Sequence, residues 1–111
     1  MERDIAKHTP FRLSKEGYKQ LCKLVDERDE GCVICRDPAV QHHHIIYRSE
    51  GGEDKLENLI SLCPMHHAIC GHGEDKHFWQ NEFQKYMGFE IIKDFVARNH
   101  KKLERIYKLR R

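Results

Sequence analysis

The sequence predicts a small α+β protein in which a β-hairpin and a short helix lie between an N-terminal helix and two C-terminal helices. Three observations support this class. Apolar residues recur at helical spacing before residue 30 and again after residue 75. The stretch between them contains two short runs rich in β-branched residues and histidine, a pattern typical of strands. Finally, 111 residues of which 34% are charged fit one domain with a modest core.

We expect residues 1–111 to form a single domain with three parts, which are an N-terminal arm and helix (1–30), a central core (31–73) and C-terminal helices (74–111). The first helix is predicted from Leu13 to Arg28, with Ser14 as its N-cap and Gly31 closing it. The apolar residues of its buried stripe are Tyr18, Leu21, Cys22 and Val25.

The central core is predicted to begin with strands over 39–47 and 59–62, joined by a polar loop over 49–54. Pro64 suits the first turn of a following helix, which ends near Gly71. A further helix is expected over 76–87. A last helix starts at about Glu90, and its apolar stripe alternates with basic residues.

The composition also bears on the cellular setting of the chain. No stretch approaches the ~20 apolar residues of a membrane span, and the N-terminus lacks the apolar run of a secretory signal. We therefore expect a cytoplasmic protein of a bacterial or phage-infected cell, with no membrane partner. Five cysteines are an odd number for a disulfide framework, so metal ligation explains them better. Cys22 and Cys70 are expected to pack as small apolar side chains.

Two pairs of metal ligands with the same spacing predict a structural zinc site. Cys32 and Cys35 form the first pair, and Cys63 and His66 form the second. Three sulfurs and one nitrogen around a tetrahedral zinc are a common structural solution, and such a metal would help a small polar chain to fold. The alternative is that Cys32 and Cys35 are buried thiols without a metal.

Three adjacent histidines, His42 to His44, lie in the first predicted strand. A neutral imidazole can take a proton from water near pH 7, and it also binds divalent metals. Because side chains alternate along a strand, His42 and His44 share one side and His43 takes the other. Two functions can therefore diverge from adjacent residues. The alternative is a solvent-exposed histidine cluster.

Taken together, these motifs resemble the HNH endonucleases, also called ββα-metal or His-Me finger nucleases. The resemblance covers Gly31 to about Gly73. It rests on Cys32-x2-Cys35, His43-His44-Ile45, Gly51-Gly52, Asn58-Leu59 and Leu62-Cys63-x2-His66-His67. His66 stands where the family usually has cysteine. The resemblance implies a zinc-stabilised ββα-metal core and metal-dependent cleavage of DNA, leaving 3′-hydroxyl and 5′-phosphate ends.

The resemblance also implies catalytic roles for single residues. His44 matches the general base that activates water, so activity is expected to fall in acid. Asn58 matches the asparagine that orients this base or steadies the hairpin. His42 matches no fixed role and either touches phosphate or faces solvent.

His43 and His67 match ligands of one catalytic divalent metal, with Mg²⁺, Mn²⁺, Ni²⁺ or Zn²⁺ as candidates. Many family members carry another histidine where this chain has Gly71. His72 follows one residue later and is the candidate for a third ligand.

DNA is the expected partner, and basic residues concentrate in the last segment. Residues 93–111 hold eight basic residues against Asp94 and Glu104, although the whole chain has a net charge of only +2. Such residues contact phosphates without reading sequence. The candidates are Arg48, Lys101, Lys102, Arg105 and Lys108. The alternative for the C-terminal residues is a solvated face of an amphipathic helix.

Two other functions stay open at the level of sequence. One is a zinc module that binds nucleic acid or protein without catalysis, for which the His43-His44 pair and Asn58 would be incidental. The other is a nuclease subunit that is active only with a protein partner directing cleavage.

Overall fold

A computed structural model describes residues 9–111, so the first eight residues of the predicted N-terminal arm lie outside the described part. The elements, in chain order, are α1 (Lys15–Asp29), β1 (Gln41–His44), β2 (Leu59–Leu62), α2 (Pro64–His66), α3 (Lys76–Met87), α4 (Glu90–Arg98) and α5 (His100–Tyr107). Short 3-10 turns precede β2, and α2 continues directly as a π-helical turn over His67–Gly71. The predicted mixture of helix and a small sheet is confirmed. Within residues 9–111, no helix combines the length and apolar character needed to cross a membrane.

Helix α1 has the predicted N-cap, Ser14, whereas its C-cap is Glu30, one residue before the predicted stop at Gly31. The Ser14 hydroxyl accepts a hydrogen bond from the Gly17 N–H at 3.1 Å. At the other end, Glu30 takes the left-handed conformation at φ 54°, and its N–H donates to the Asp26 carbonyl. Gly31 follows with φ 106°, a conformation that glycine adopts without strain.

Strands β1 and β2 form a two-stranded antiparallel sheet in which His44 pairs with Leu59 and His43 with Ile60. The first strand is shorter than predicted, because it ends at His44 rather than at residue 47. After β1, the Ile46 N–H no longer bonds to a backbone carbonyl of the neighbouring strand. It donates instead to the side-chain oxygen of Asn58 at 2.8 Å. A side-chain amide therefore ends the ladder next to the histidines.

The two hydrophobic cores lie on opposite sides of β2, whose four residues are all buried. The first core joins α1, β2 and α5 through Leu13, Leu21, Leu24, Val25, Leu56, Leu59, Leu103 and Ile106. The second core joins the hairpin to α3 through Cys32, Ile45, Ile60, Leu62, Cys63, Cys70 and Phe83. Because side chains alternate along a strand, Leu59 and Ile60 contribute to different cores.

A buried ion pair at the end of α1 connects these parts. Arg28 and Asp29 form two hydrogen bonds with each other, at 2.6 and 2.9 Å. Arg28 also donates to the Leu56 and Leu59 carbonyls, whereas Asp29 accepts the Ser61 N–H. The pair is thus satisfied by hydrogen bonds on both sides, which is the condition for burying two charges.

The last predicted helix is divided into α4 and α5, so the C-terminal part holds three helices rather than two. The division lies at Asn99, whose side-chain amide donates to the Phe95 carbonyl at 2.9 Å. Asparagine competes in this way with the helical hydrogen bonds, and the Asn99 carbonyl then accepts the Leu103 N–H of α5. The break lets α5 turn and pack against α1.

Candidate active site and metal centres

The two predicted ligand pairs come together in one four-residue cluster, which we call the cysteine cluster (Cys32, Cys35, Cys63 and His66). Its ligand atoms all lie within 4.8 Å of one another. The sulfurs of Cys35 and Cys63 are 3.8 Å apart, and His66 Nδ1 is 3.3 Å from the Cys63 sulfur and 3.7 Å from the Cys32 sulfur.

These spacings fit a tetrahedral zinc ion. With Zn–S bonds of about 2.3 Å, two sulfurs lie roughly 3.8 Å apart, and a sulfur and a nitrogen lie roughly 3.6 Å apart. Cys63 caps the short helix α2 through its sulfur, which accepts the His66 N–H at 3.5 Å and sets the second pair. A Cys3His site of this kind can hold a structural metal.

Cys32 is a fully buried member of the cysteine cluster. Burial alone raises the pKa of its thiol, but backbone hydrogen bonds from Cys63, Cys35 and Ile34 outweigh it and lower this pKa to about 6. The thiolate, which is the form that binds metal, is therefore stabilised before any ion arrives.

A second cluster, which we call the histidine cluster, consists of His43, His67 and His72. The His67 and His72 Nε2 atoms are 3.2 Å apart, and the His43 ring lies 5.1 and 5.2 Å from the other two rings. Two nitrogens at about 2.1 Å from one metal lie roughly 3.0–3.4 Å apart for bond angles between octahedral and tetrahedral. The geometry therefore suits a divalent metal with neutral imidazole ligands.

The π-helical turn His67–Gly71 explains how His72 reaches this cluster. In an α-helix, residues four apart share a face, and His67 would be aligned with Gly71. A π-helix closes its hydrogen bonds between residues five apart, so His72 is turned towards His67 instead. The missing histidine at Gly71 is thereby replaced by its neighbour in the sequence.

Gly71 has no side chain, so the rings of His43 and His67 can occupy the space beside it. A Cβ atom there would lie 3.0 Å from His43 Cε1 and 3.3 Å from His67 Cδ2, closer than ordinary contacts. The Gly71 carbonyl accepts a hydrogen bond from the Tyr47 hydroxyl, and the Tyr47 ring packs against His43 and His72. A bulkier residue would push the ligands apart.

His44 points to the opposite side of β1 and makes a different set of contacts. Its Nε2 atom lies 2.9 Å from Asp54 Oδ1, and the Arg48 guanidinium approaches both, at 3.3 Å from His44 Nε2 and 3.2 Å from Asp54 Oδ1. The Tyr18 ring lies parallel to the imidazole. The shorter contact with a carboxylate assigns the Nε2 proton to the His44–Asp54 bond, which leaves the Nδ1 lone pair available.

Asp54 is a residue that the sequence did not single out. It is only 1% exposed, and it also accepts the Leu13 N–H at 3.0 Å. In the sequence it follows Gly51-Gly52-Glu53 in a polar loop, where a carboxylate is expected to be solvated. Only the fold brings it beneath His44, so no local signal could have found it.

The titration of these groups follows from burial. Burial lowers the pKa of His43 to about 4, and it also lowers the pKa of His67 and His44. For His44 the Asp54 hydrogen bond opposes this effect without cancelling it. Burial alone would raise the pKa of Asp54, but the His44 and Leu13 hydrogen bonds and the Arg48 charge hold it below its usual range. Asp54 is therefore ionised beside a neutral His44 at pH 7.

The histidine cluster and His44 open into the same cavity despite lying on different sides of the strand. This cavity, which we call the central cavity, has a volume of about 220 Å³ and is lined by His42, His43, His44, Tyr47, Arg48, His67 and His72. A ligand in it can meet a metal held by three histidines and the side chain of His44 together.

Asn58 is not among the residues that line this cavity, and His42, which lines it, pairs with a residue outside it. The Asn58 amide donates to the Ile46 and Glu53 carbonyls, so its hydrogen bonds hold the hairpin end rather than the His44 ring. His42 Nε2 lies 2.7 Å from Asp26 Oδ1 in a solvent-accessible pair.

The predicted phosphate-binding residues are divided between two places. Arg48 lies beside His44, as described above. The other four, Lys101, Lys102, Arg105 and Lys108, belong to α5 or its C-terminal end, where Lys102 and Arg105 line a separate groove with Gln20, Lys23 and Glu27 of α1. The structure does not bring them to the central cavity.

Comparison with known proteins identifies the family that this arrangement resembles. Residues 32–68 match the family model described as HNH endonuclease. No curated protein and no solved structure gives a significant match to the chain. The matched segment includes all of the cysteine cluster and two of the three histidines of the histidine cluster. The resemblance to HNH endonucleases indicated by the motifs of this segment is thereby confirmed over residues 32–68.

Proposed function

We propose that this chain is a metal-dependent endonuclease that hydrolyses phosphodiester bonds of DNA, with His44 as the general base. The observation that carries the proposal is the shared central cavity, in which His44 and the three members of the histidine cluster meet. The match of residues 32–68 to a family of endonucleases supports the same reaction class.

The side chains divide the reaction between them. His44 keeps its Nε2 proton in the hydrogen bond to Asp54, so its Nδ1 atom takes the proton of the attacking water. Asp54 fixes the ring and stabilises the imidazolium that forms, as the carboxylate does in other His–Asp pairs. Arg48 lies at the edge of the cavity with 47% of its side chain exposed, where it can hold a non-bridging phosphate oxygen.

His43, His67 and His72 would hold the catalytic metal. When bound, a divalent cation supplies positive charge for the phosphate and for the leaving oxygen of the phosphodiester. Mg²⁺, Mn²⁺, Ni²⁺ and Zn²⁺ remain the candidates, and an all-imidazole ligand set favours transition metals over Mg²⁺. The cysteine cluster would hold a structural zinc that acts on folding alone.

Asn58 acts as a positioning residue in this proposal. Its three hydrogen bonds join Ile46, Glu53 and the end of β2, which fixes the point where His44 leaves the sheet. The ends left by the reaction are expected to be 3′-hydroxyl and 5′-phosphate, following the family.

The test is cleavage of supercoiled plasmid by the purified protein with Mg²⁺, Mn²⁺ and Ni²⁺ in turn. His44→Ala is expected to lose nicking while it keeps the circular dichroism spectrum of the wild type. His100→Ala is the control, because His100 is an exposed histidine of α5 that belongs to neither ligand cluster and does not line the central cavity. Cleavage that is independent of added metal, or equal in His44→Ala and wild type, would contradict the proposal.

An inactive wild type would favour one of two alternatives. A zinc module that binds DNA without catalysis would still retain labelled DNA, and a partner-dependent nuclease subunit would gain metal-dependent nicking when the partner is added.

A further inference from the structure

A second groove begins where the central cavity ends. This groove, which we call the flanking groove, has a volume of about 660 Å³ and is lined by Leu13, Ser14, Lys15, Tyr18, His44, Arg48 and Arg111. His44 and Arg48 line both the flanking groove and the central cavity. The two spaces therefore adjoin at the proposed general base.

The charge of the flanking groove has one sign. Lys15, Arg48 and Arg111 line it, and no carboxylate side chain within residues 9–111 does so. Asp54, the nearest acid of the site, is buried beneath His44 and is engaged by the Leu13 N–H, by His44 and by Arg48. Because Asp54 offsets the charge of Arg48, the net positive charge of the groove comes from Lys15 and Arg111, and it creates a local field that attracts an anion.

The surrounding contacts position Arg48 and Arg111, and Arg48 also pairs with Asp54 at 3.2 Å. The backbone of Arg111 is fixed by its N–H, which donates to the Arg12 carbonyl at 3.1 Å, and the neighbouring Arg110 pairs with Leu13. The guanidinium of Arg48 lies over the Tyr18 ring at 5.3 Å. Arg110 and Arg111 are thus held at the start of α1, next to the proposed active site.

We propose that the flanking groove binds a backbone phosphate adjacent to the one that is cleaved, with Lys15 and Arg111 as its ligands. This inference rests on the proposed function, because it takes the substrate to be a polynucleotide with phosphates on both sides of the scissile bond. It identifies the substrate class as a chain longer than a single diester. Arg48, which borders both spaces, then contacts the strand between the two phosphates.

The groove beside α5 contains similar basic residues and can be compared with the flanking groove. Lys102 and Arg105 provide one lysine and one arginine, as the flanking groove does with Lys15 and Arg111. Their groove, however, includes Glu27 and does not include His44. A polynucleotide held at the histidine cluster therefore meets Lys15 and Arg111 first.

The experiment compares two double variants with the wild type, Lys15→Gln/Arg111→Gln and Lys102→Gln/Arg105→Gln. Three readouts are measured. The first is the affinity for labelled double-stranded DNA as a function of salt, without divalent metal. The second is nicking of plasmid with Mn²⁺. The third is hydrolysis of bis(p-nitrophenyl) phosphate, a single diester that has no flanking phosphate.

Lys15→Gln/Arg111→Gln is expected to reduce the slope of log affinity against log salt by about one, because the two residues are proposed to hold one phosphate and each phosphate that is no longer neutralised removes roughly one unit. At about 0.1 M salt this corresponds to a loss of affinity of roughly 10-fold. Nicking at low DNA concentration falls by a similar factor, whereas hydrolysis of the small diester is unchanged. The α5 double variant is expected to change all three readouts less.

Equal losses in the two double variants, or an unchanged salt slope in Lys15→Gln/Arg111→Gln, would overturn the flanking site. Equal loss on the small diester would also overturn it, since that substrate cannot reach the groove. DNA binding is measured without cleavage, so an inactive wild type that shows the predicted salt slopes supports the flanking site and contradicts only the proposed nuclease function.

Discussion

The cysteine cluster and the histidine cluster are built from one stretch of chain, yet they differ in what surrounds their ligands. His66 belongs to the first and His67 to the second, although they are neighbours in the sequence. The cysteine cluster has four ligands, a buried Cys32 and backbone hydrogen bonds to its sulfur. The histidine cluster has three ligands and faces the central cavity. A closed set of four suits a structural metal, and an open set of three leaves positions for substrate and water.

Neighbouring residues can therefore serve two different sites, because their side chains point in different directions. His66 points towards the cysteines and His67 towards His43, because successive residues of the short helix face different ways. The same separation occurs in β1, where His43 turns to the histidine cluster and His44 to Asp54. A change at one cluster is therefore expected to leave the role of the other side identifiable.

The largest effect is expected from Cys35→Ser, which removes a ligand of the cysteine cluster. Structural zinc contributes on the order of 10 kcal/mol to small domains of this kind, so the variant is expected to be unfolded or aggregated. Zinc content and the thermal melt by circular dichroism measure it. Cys70→Ala is the matched control, because Cys70 is buried in the same core but lies outside the cluster. Loss of zinc with an unchanged melt would show that the site is not structural.

Asp54→Asn tests the hydrogen bond between Asp54 and His44 and leaves all the metal ligands in place. The asparagine oxygen can still accept the Leu13 N–H, but its NH₂ group then faces His44 Nε2 and makes that atom an acceptor. The proton moves to Nδ1, and the base is lost. Nicking is expected to fall by roughly 100-fold or more, with metal binding and folding preserved. Asp26→Asn, which alters the exposed pair with His42, is expected to be silent, and equal losses in both variants would refute the role of Asp54.

His72→Ala tests whether His72 is a metal ligand of the histidine cluster. Loss of an outer hydrogen-bond partner typically lowers metal affinity by roughly 10- to 100-fold, and loss of a ligand is expected to cost at least as much. Calorimetric titration of Mn²⁺ into zinc-loaded protein measures the change. The melt is expected to stay within a few degrees of the wild type, because the cysteine cluster is intact. An unchanged Mn²⁺ affinity would remove His72 from the ligand set.

A smaller and graded effect is expected from pH. Burial lowers the pKa of His44 below the usual value of about 6.5, and the proposed function requires the neutral form. Activity is therefore full at pH 7–8 and falls only as the pH drops through this lowered pKa. The pH profile of single-turnover nicking measures the midpoint. A midpoint at or above the usual histidine pKa would contradict the buried, neutral His44 as the base.

Much of this arrangement is predictable from sequence because it depends on local spacing. Cys32 and Cys35 on one turn, and Cys63 and His66 on the next, indicate a shared metal without reference to the fold. The alternation of His43 and His44 follows from the strand alone. The cap at Ser14 and the stop near Gly31 likewise need only neighbouring residues.

The features that were not predicted depend on contacts distant in the sequence or on competition between backbone states. Asp54 comes into contact with His44 only because the fold brings Leu13, His44 and Arg48 around it. The π-helical turn that brings His72 into the cluster competes narrowly with an α-helix, and periodicity does not reveal which is formed. The break at Asn99 depends on a side-chain hydrogen bond that overrides a continuous apolar stripe.

The most direct test of the account measures Mn²⁺ affinity and nicking rate in parallel for His43→Ala and His44→Ala. His43→Ala is expected to lose both Mn²⁺ binding and nicking, whereas His44→Ala is expected to bind Mn²⁺ as the wild type does and to nick at least 100-fold more slowly. Loss of Mn²⁺ binding in His44→Ala, or nicking at the wild-type rate, would contradict the claim that these neighbouring histidines divide metal binding from base catalysis.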